Sequence, residues 1–245
     1  MTEATAALGK QLQSDRLVKL YVGKNNDIPY LIPESRLKQA SEYFTSAIKH
    51  ERWGSDNIGK LHFPDDDKRT FEILIYFIVN GSLPEFDRKD KIAMQKLMID
   101  SWLMADQYLM HDFQDQLMIQ LLIMLDDEAL DWEVVRFGFQ KGSEGSKIWR
   151  LMAEEAVHKT YRDAQFGAKS IYDVKPLEEA ILGIPGALGE FLKTRESADQ
   201  NPSFYDRLGR RWKTEPFLYG SFALNSRARI YARNLKAEDD VLDSE

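Results

Sequence analysis

The chain has 245 residues, 43% hydrophobic and 30% charged, an ordinary balance for a folded protein, and at ~100–200 residues per domain it has room for one or two domains. Lys and Arg number 33 against 40 Asp and Glu, and this net charge of −7 argues against a general nucleic-acid binder, which needs a basic surface to neutralise phosphates. The absence of cysteine excludes disulfides, thiol nucleophiles and cysteine-ligated zinc; the longest apolar run, Ile73–Val79, is far short of the ~18 residues that cross a bilayer, and Met1–Gln13 has no apolar run after a basic start, so the expectation is an intracellular protein, cytoplasmic, nuclear or both.

Residues 1–14 are small and polar, with Leu8 and Leu12 as their only apolar anchors, and read as a flexible arm. Leu17–Val22 is rich in aliphatic and β-branched residues and stops at Gly23, which predicts a strand. Lys24 to Asp27 is turn chemistry. Ile28 to Ile32 resumes the strand pattern with Ile28, Tyr30 and Ile32 on one face, so the pair reads as a hairpin. Leu37, Ala40, Phe44, Ala47 and Ile48 then recur at helical spacing. Residues 53–56 break that helix, and 58–63 read as a third short strand. Asp65, Asp66 and Asp67 supply a helix start, and Phe71, Leu74, Ile75 and Ile78 form the stripe of the helix that follows. Asn80-Gly81 is a left-handed stop.

The next block is helical. Leu97, Trp102, Met104, Ala105, Tyr108 and Leu109 suit one helix, and Phe113, Leu117, Leu121 and Leu125 the next, with short breaks at residues 110–112 and 126–128. Trp132, Val134, Val135 and Phe139 suggest a helix ending near Gly142, and residues 148–162 another. Beyond about Ser170 the periodicity weakens, interrupted by Gly183, Pro185, Gly186 and Gly189. Residues 206–236 hold eight basic against two acidic side chains, and residues 237–245 hold five acids.

Reactive chemistry is sparse. His50-Glu51-Arg52-Trp53-Gly54 opens like a zinc-protease helix but has Gly54 where the second histidine must stand. The acidic runs at residues 65–67 and 126–128 lack the spacing of a calcium loop and read as caps of the helices after them. The glycines at 183, 186 and 189 follow no strand and lack Gly-Lys-Ser/Thr, so they do not read as a phosphate cradle. No Gly-x-Ser-x-Gly elbow is present. No catalytic residue, metal ligand or cofactor site is assigned, and the expectation is a protein that is not an enzyme.

The segment Tyr30 to Phe44, with Leu37, Ser41, Tyr43 and Phe44, resembles the signature of BTB/POZ domains. So do residues 61–67 with Phe71, Tyr76, Asn80, Gly81 and Leu83, and the helix carrying Leu103, Ala105, Asp106 and Tyr108. The resemblance covers residues 15–125, about half the chain, in the style of fungal-type members with a helical C-terminal extension. Pro33 and Glu34 stand where the family commonly has His then Lys/Arg, and Leu17 stands where it often has an aspartate, with Asp15 close by.

The resemblance implies an α+β class and a BTB/POZ fold, a small three-stranded sheet covered by a helical bundle, over residues 15–125. A helical extension over 126–195 and a partly ordered basic then acidic tail over 196–245 complete the expected organisation. It further implies a protein–protein interaction module that forms a homodimer, and in its sharpest form an adaptor linking a client to a cullin-type ubiquitin ligase. Members that recruit a cullin carry a bulky apolar residue, any residue, then Glu; here Trp53-Gly54-Ser55 is the fit, with Ser55 in the place of the acid. The partner-binding residues expected on this basis are Phe44, Ile48, Trp53, Ser55, Tyr108 and Met110. The alternative is a dimerising scaffold or transcription-linked nuclear protein without a ubiquitin-ligase role, cued by the basic stretch. Neither reading involves a membrane.

Overall fold

In a computed structural model of the chain, the described residues are 15–24, 28–51, 59–86, 89–127, 130–165 and 175–200. They form an α+β protein with a three-stranded mixed sheet. Strand β1, Leu17–Val22, alternates outward and buried positions, as a strand with one packed face must. It is the central strand of the order β2-β1-β3. Strand β2, Tyr30–Pro33, pairs with it antiparallel, from Leu17 opposite Pro33 to Leu20 opposite Tyr30. Strand β3, Lys60–Phe63, pairs with it parallel, from Lys19 opposite Lys60 to Val22 opposite Phe63. Val18, Leu20, Val22, Ile32 and Phe63 turn inward and are buried. Ile28, expected within the second strand, lies outside it and is 80% exposed. Pro29 has no N–H to give the ladder, so pairing begins after it.

The stripe from Leu37 to Ile48 belongs to two helices, not one: α1, Glu34–Ala40, and α2, Glu42–Glu51. Ser41 between them is extended, and its hydroxyl accepts from the N–H groups of Tyr43 and Phe44 at 2.9 and 3.4 Å, which starts α2 afresh. Leu37, Phe44 and Ile48 are all buried, so the apolar spacing survives the break. Helix α3, Lys68–Asn80, has both ends where its residues placed them. Asp67 accepts from the Thr70 N–H at 3.0 Å, and Gly81, at φ 75°, donates to the Phe77 carbonyl.

Helix α4 spans Lys91–Gln107 and α5 His111–Asp127, so Tyr108 and Leu109, expected inside a helix, form the turn after it. The cap of the next helix is Asp131, where the acidic run at 126–128 was the expected one. Asp126 and Asp127 close α5, and Asp131, with extended backbone, accepts from the Glu133 N–H at the start of α6, Trp132–Lys141. Helices α7, Lys147–Gln165, α8, Lys175–Ile181, and α9, Ala187–Gln200, follow, with the expected interruption between the last two turning through Gly183 and Gly186 at positive φ. The arm 1–14 and the stretch 201–245 lie outside the described residues. Among the described residues no helix is long and apolar enough to cross a membrane.

The chain divides into two compact units. The first takes residues 1–85 with Met104–Gln114, and the second takes Phe86–Leu103 with the rest from Asp115. Residues of helices α4 and α5 fall in both units. In the second unit α7 packs against α6 and α9. Gly138 and Gly142 allow close approach: a Cβ on Gly138 would lie 2.5 Å from Met152, and one on Gly142 2.8 Å from the Trp149 ring. Trp149 in turn donates its indole N–H to the Gly142 carbonyl at 2.8 Å.

Candidate interaction site

Ser41, Tyr43, Phe44, Phe63, Asp66 and Phe71, among the residues that carry the family resemblance, meet in the first unit around Tyr108. Its ring lies 4.8 Å from that of Tyr43, 5.7 Å from Phe44, 5.6 Å from Phe63 and 6.2 Å from Phe71, a set of tilted, stacked and edge-on contacts. Both polar groups of Tyr108 that face this cluster are used. Its carbonyl accepts from the Ser41 hydroxyl at 2.6 Å, and its phenol donates to the Asp66 carboxylate. Ser41 therefore does two jobs with one oxygen: it starts α2 and holds the turn after α4.

Burial pushes the Asp66 carboxyl above its usual range, the neighbouring Asp65 charge adds to this, and the Tyr108 hydrogen bond opposes it. The Tyr108 phenol is raised far above its ordinary value by burial, then by the hydrogen bond and charge of Asp66. Tyr43 is raised by burial and by the same charge. Asp66, counted at sequence level only as part of a helix cap, is thus a partner of Tyr108; Asp67 alone supplies the cap.

The turn that carries Tyr108 is a helix stop of the Schellman type. Met110 donates to the Ala105 carbonyl at 2.8 Å and Leu109 to Asp106 at 3.1 Å. Leu109 occupies the left-handed position, φ 55°, that glycine usually fills, and is 53% exposed. A side chain there costs about 1 kcal/mol. The apolar stripe runs on through Leu109, but the helix ends at Gln107 and Leu109 belongs to its stop.

At the edge of the sheet Glu34 is nearly buried and paired twice, with Arg16 at 2.5 Å and Lys38 at 2.5 Å. Burial opposes its ionisation, but Lys38 and Arg16 outweigh burial and hold its carboxyl below the usual range. Asp15 accepts from the Ser35 N–H and hydroxyl, which fixes the start of β1 on the start of α1. Tyr30 donates to Glu72 on α3 at 2.8 Å, and burial together with that carboxylate pushes its phenol up to about 12.

Four of the six expected partner contacts are inside the protein. Phe44 and Ile48 are 0% exposed, Tyr108 1% and Met110 2%, so they offer no surface to a partner and instead form the frame behind one. Large apolar side chains at that spacing satisfy a core as readily as an interface, and the core took them. Trp53 and Ser55 lie outside the described residues. Among the described residues of the first unit the large exposed apolar side chains are Leu17, Ile28, Leu31, Tyr76, Val79 and Leu109. Among the described residues no cluster of three or more His, Asp or Glu is arranged to hold a metal ion. No family model matches the chain, and no curated protein matches it.

Proposed function

We propose that the chain is a non-enzymatic protein–protein interaction module of the BTB/POZ type that self-associates, and that it links a client to a cullin-type ubiquitin ligase. The observation that carries this reading is the convergence of Ser41, Tyr43, Phe44, Phe63, Asp66, Phe71 and Tyr108. These are seven of the residues that carry the resemblance to the family, they come from four separate segments, and they share one packed and hydrogen-bonded cluster. The mixed three-stranded sheet with helices on one face supports it too. A module of this kind acts through surface and shape, and the cluster fixes the shape.

Titration calorimetry of the chain with the N-terminal region of a cullin tests the adaptor role. The expected result is heat with a Kd of ~1 µM or tighter, lost in Trp53→Ala. Absence of heat and of co-elution removes the ubiquitin-ligase role and leaves the scaffold, for which the basic residues between 207 and 236 then supply the nuclear cue. Light scattering tests self-association: a mass near twice 28.4 kDa is expected, and a monomer at tens of micromolar overturns it.

A further inference from the structure

Helix α9 turns an apolar ridge outward. Leu188 and Leu192, one turn apart, are 54% and 52% exposed, and Leu182, in the turn before the helix, is 65% exposed. The other side of α9 already faces a core: Ala187 and Phe191 are buried, and the helix packs on α7. Gly189 stands between the two leucines. Gly138, in α6, makes room for Met152, but a Cβ on Gly189 would meet nothing within 4 Å among the described residues, and its backbone is helical rather than left-handed. A helical glycine loses more conformational freedom on folding than alanine does, and no described part of the chain uses the space it leaves. Charge is placed at both ends of the ridge. At the N-terminal end lies the exposed Glu144, whose Oε1 is 3.2 Å from the position of a Cβ on Gly186, and among the described residues it forms no ion pair. At the other end Arg195 and Glu196 are exposed, and Arg195 continues the i, i+4, i+7 spacing of Leu188 and Leu192. Glu190 and Lys193, between the ends, pair with each other at 3.9 Å.

We infer that this ridge is a contact between two copies of the chain, with their α9 helices antiparallel about a two-fold axis. Such an axis uses one patch twice, so that if residue i meets residue j, j also meets i. Setting Leu192 of one copy over Gly189 of the other meets that condition and fills the space that glycine leaves on both. The same register, carried three residues further, brings Arg195 of one copy level with residue 186 of the other, where Glu144 lies. Symmetry forms that pair twice. A carboxylate at one end and a guanidinium at the other match a reversed copy of the same face and repel a parallel one. The missing side chain at 189 lets the helices come to the short end of the ordinary separation of ~8–10 Å. Three leucines are a small patch beside the ~800 Å² per partner of a stable interface, so the contact is weak, with an expected Kd of ~0.1–1 mM. It goes beyond the proposed function, whose self-association belongs to residues 15–125 and to a lower concentration.

The test is sedimentation equilibrium of the full chain up to ~1 mM, where an association step at ~0.1–1 mM is expected. Leu188→Glu with Leu192→Glu, both exposed in the single copy, should weaken that step about tenfold and leave the circular dichroism unchanged. Gly189→Ala should move two readouts in opposite directions. The melting temperature rises, because alanine favours the helix and its methyl group meets nothing in one copy, and the step weakens about threefold, because that methyl group meets Leu192 of the second copy. Arg195→Glu should weaken the step about threefold, and adding Glu144→Arg to the same chain should restore it. Absence of the step overturns the inference, as it must if another molecule covers the ridge. A step that ignores the leucine pair or Gly189→Ala overturns it too, and so does a charge exchange that fails to restore affinity. The two readings fail separately. A dimer at tens of micromolar that persists in every variant keeps the proposed self-association whatever happens at α9, whereas the α9 step without that dimer removes the proposed self-association alone.

Discussion

Ser41 reaches 67 residues along the chain to the Tyr108 carbonyl, and Tyr108 reaches back 42 to Asp66. The second unit spans similar separations differently. Lys96 reaches 37 residues to Glu133, and Arg136 reaches 43 to the Glu179 carbonyl, both on exposed surface. Lys159 sits 5.0 Å over the Trp132 ring. Inside that unit the close contacts are local or steric: Arg150 with Glu154 one turn on, and Gly142 under Trp149. The first unit is therefore held at distant points by hydroxyl groups within or beside its core. The second is held by helix packing made possible by small residues, with charged arms at its rim. Bonds of the first kind are screened little by salt and fail when a ring is lost; those of the second kind tolerate loss of an arm but not added volume.

Three substitutions break or sharpen this contrast. Tyr108→Ala is expected to destabilise the first unit by about 3–5 kcal/mol, because it empties an aromatic-sized space and strands Asp66. Amide hydrogen exchange should show the loss in β1, β3 and α3. Tyr108→Phe, which removes only the hydroxyl, should cost ~1–2 kcal/mol; if it costs as much as alanine, the hydrogen bond rather than the ring dominates the hub. Gly142→Ala is expected to cost the second unit about 1–3 kcal/mol, since its Cβ would lie 2.8 Å from the Trp149 ring and 2.9 Å from the Gly138 carbonyl. Exchange in α6 and α7 should rise while β1 is unchanged.

Glu34→Gln tests a place where the first unit relies on a twice-paired charge, with an expected loss of ~1–2 kcal/mol at neutral pH. The Glu34 carboxyl is held low in the folded state, so its contribution is complete above the ordinary carboxylate range and disappears as pH falls through its own lowered value. Denaturant titrations of the two forms should therefore differ at pH 7 and converge in acid. Asp66 runs the other way. Its raised carboxyl gains relative stability on protonation, and this gain is lost again as pH rises through its folded value, so both forms keep that component.

How much of this was legible in the sequence depended on the range of the interaction. Asp67 and Gly81 were readable because capping is decided within a few residues, and β1 was readable because its alternation is internal. Ser41 was not readable as a helix break, because the spacing of Leu37, Phe44 and Ile48 continues across it and its partner is a distant carbonyl. Asp131 competed with the run of three acids at 126–128 for one cap, and the backbone conformation at 131 places it at the helix start. Phe44, Ile48, Tyr108 and Met110 were expected at a partner surface and are buried; which side of the surface they face is settled by the packing of segments far apart in the chain. Leu109 defied expectation because its conformation is set by the two hydrogen bonds closing the helix, not by its own preference.

The first unit is discontinuous: it begins near the N-terminus, leaves at residue 85 and is completed by Met104–Gln114. During synthesis the sheet and the first three helices emerge before the tyrosine that they enclose. For that interval Phe44, Phe63 and Phe71 have no Tyr108 among them, and Ser41 and Asp66 lack a shared partner. A nascent chain halted before Met104 carries all three strands of the sheet and still lacks the centre of that unit's core, so this part of the molecule cannot finish folding in the order in which it is made.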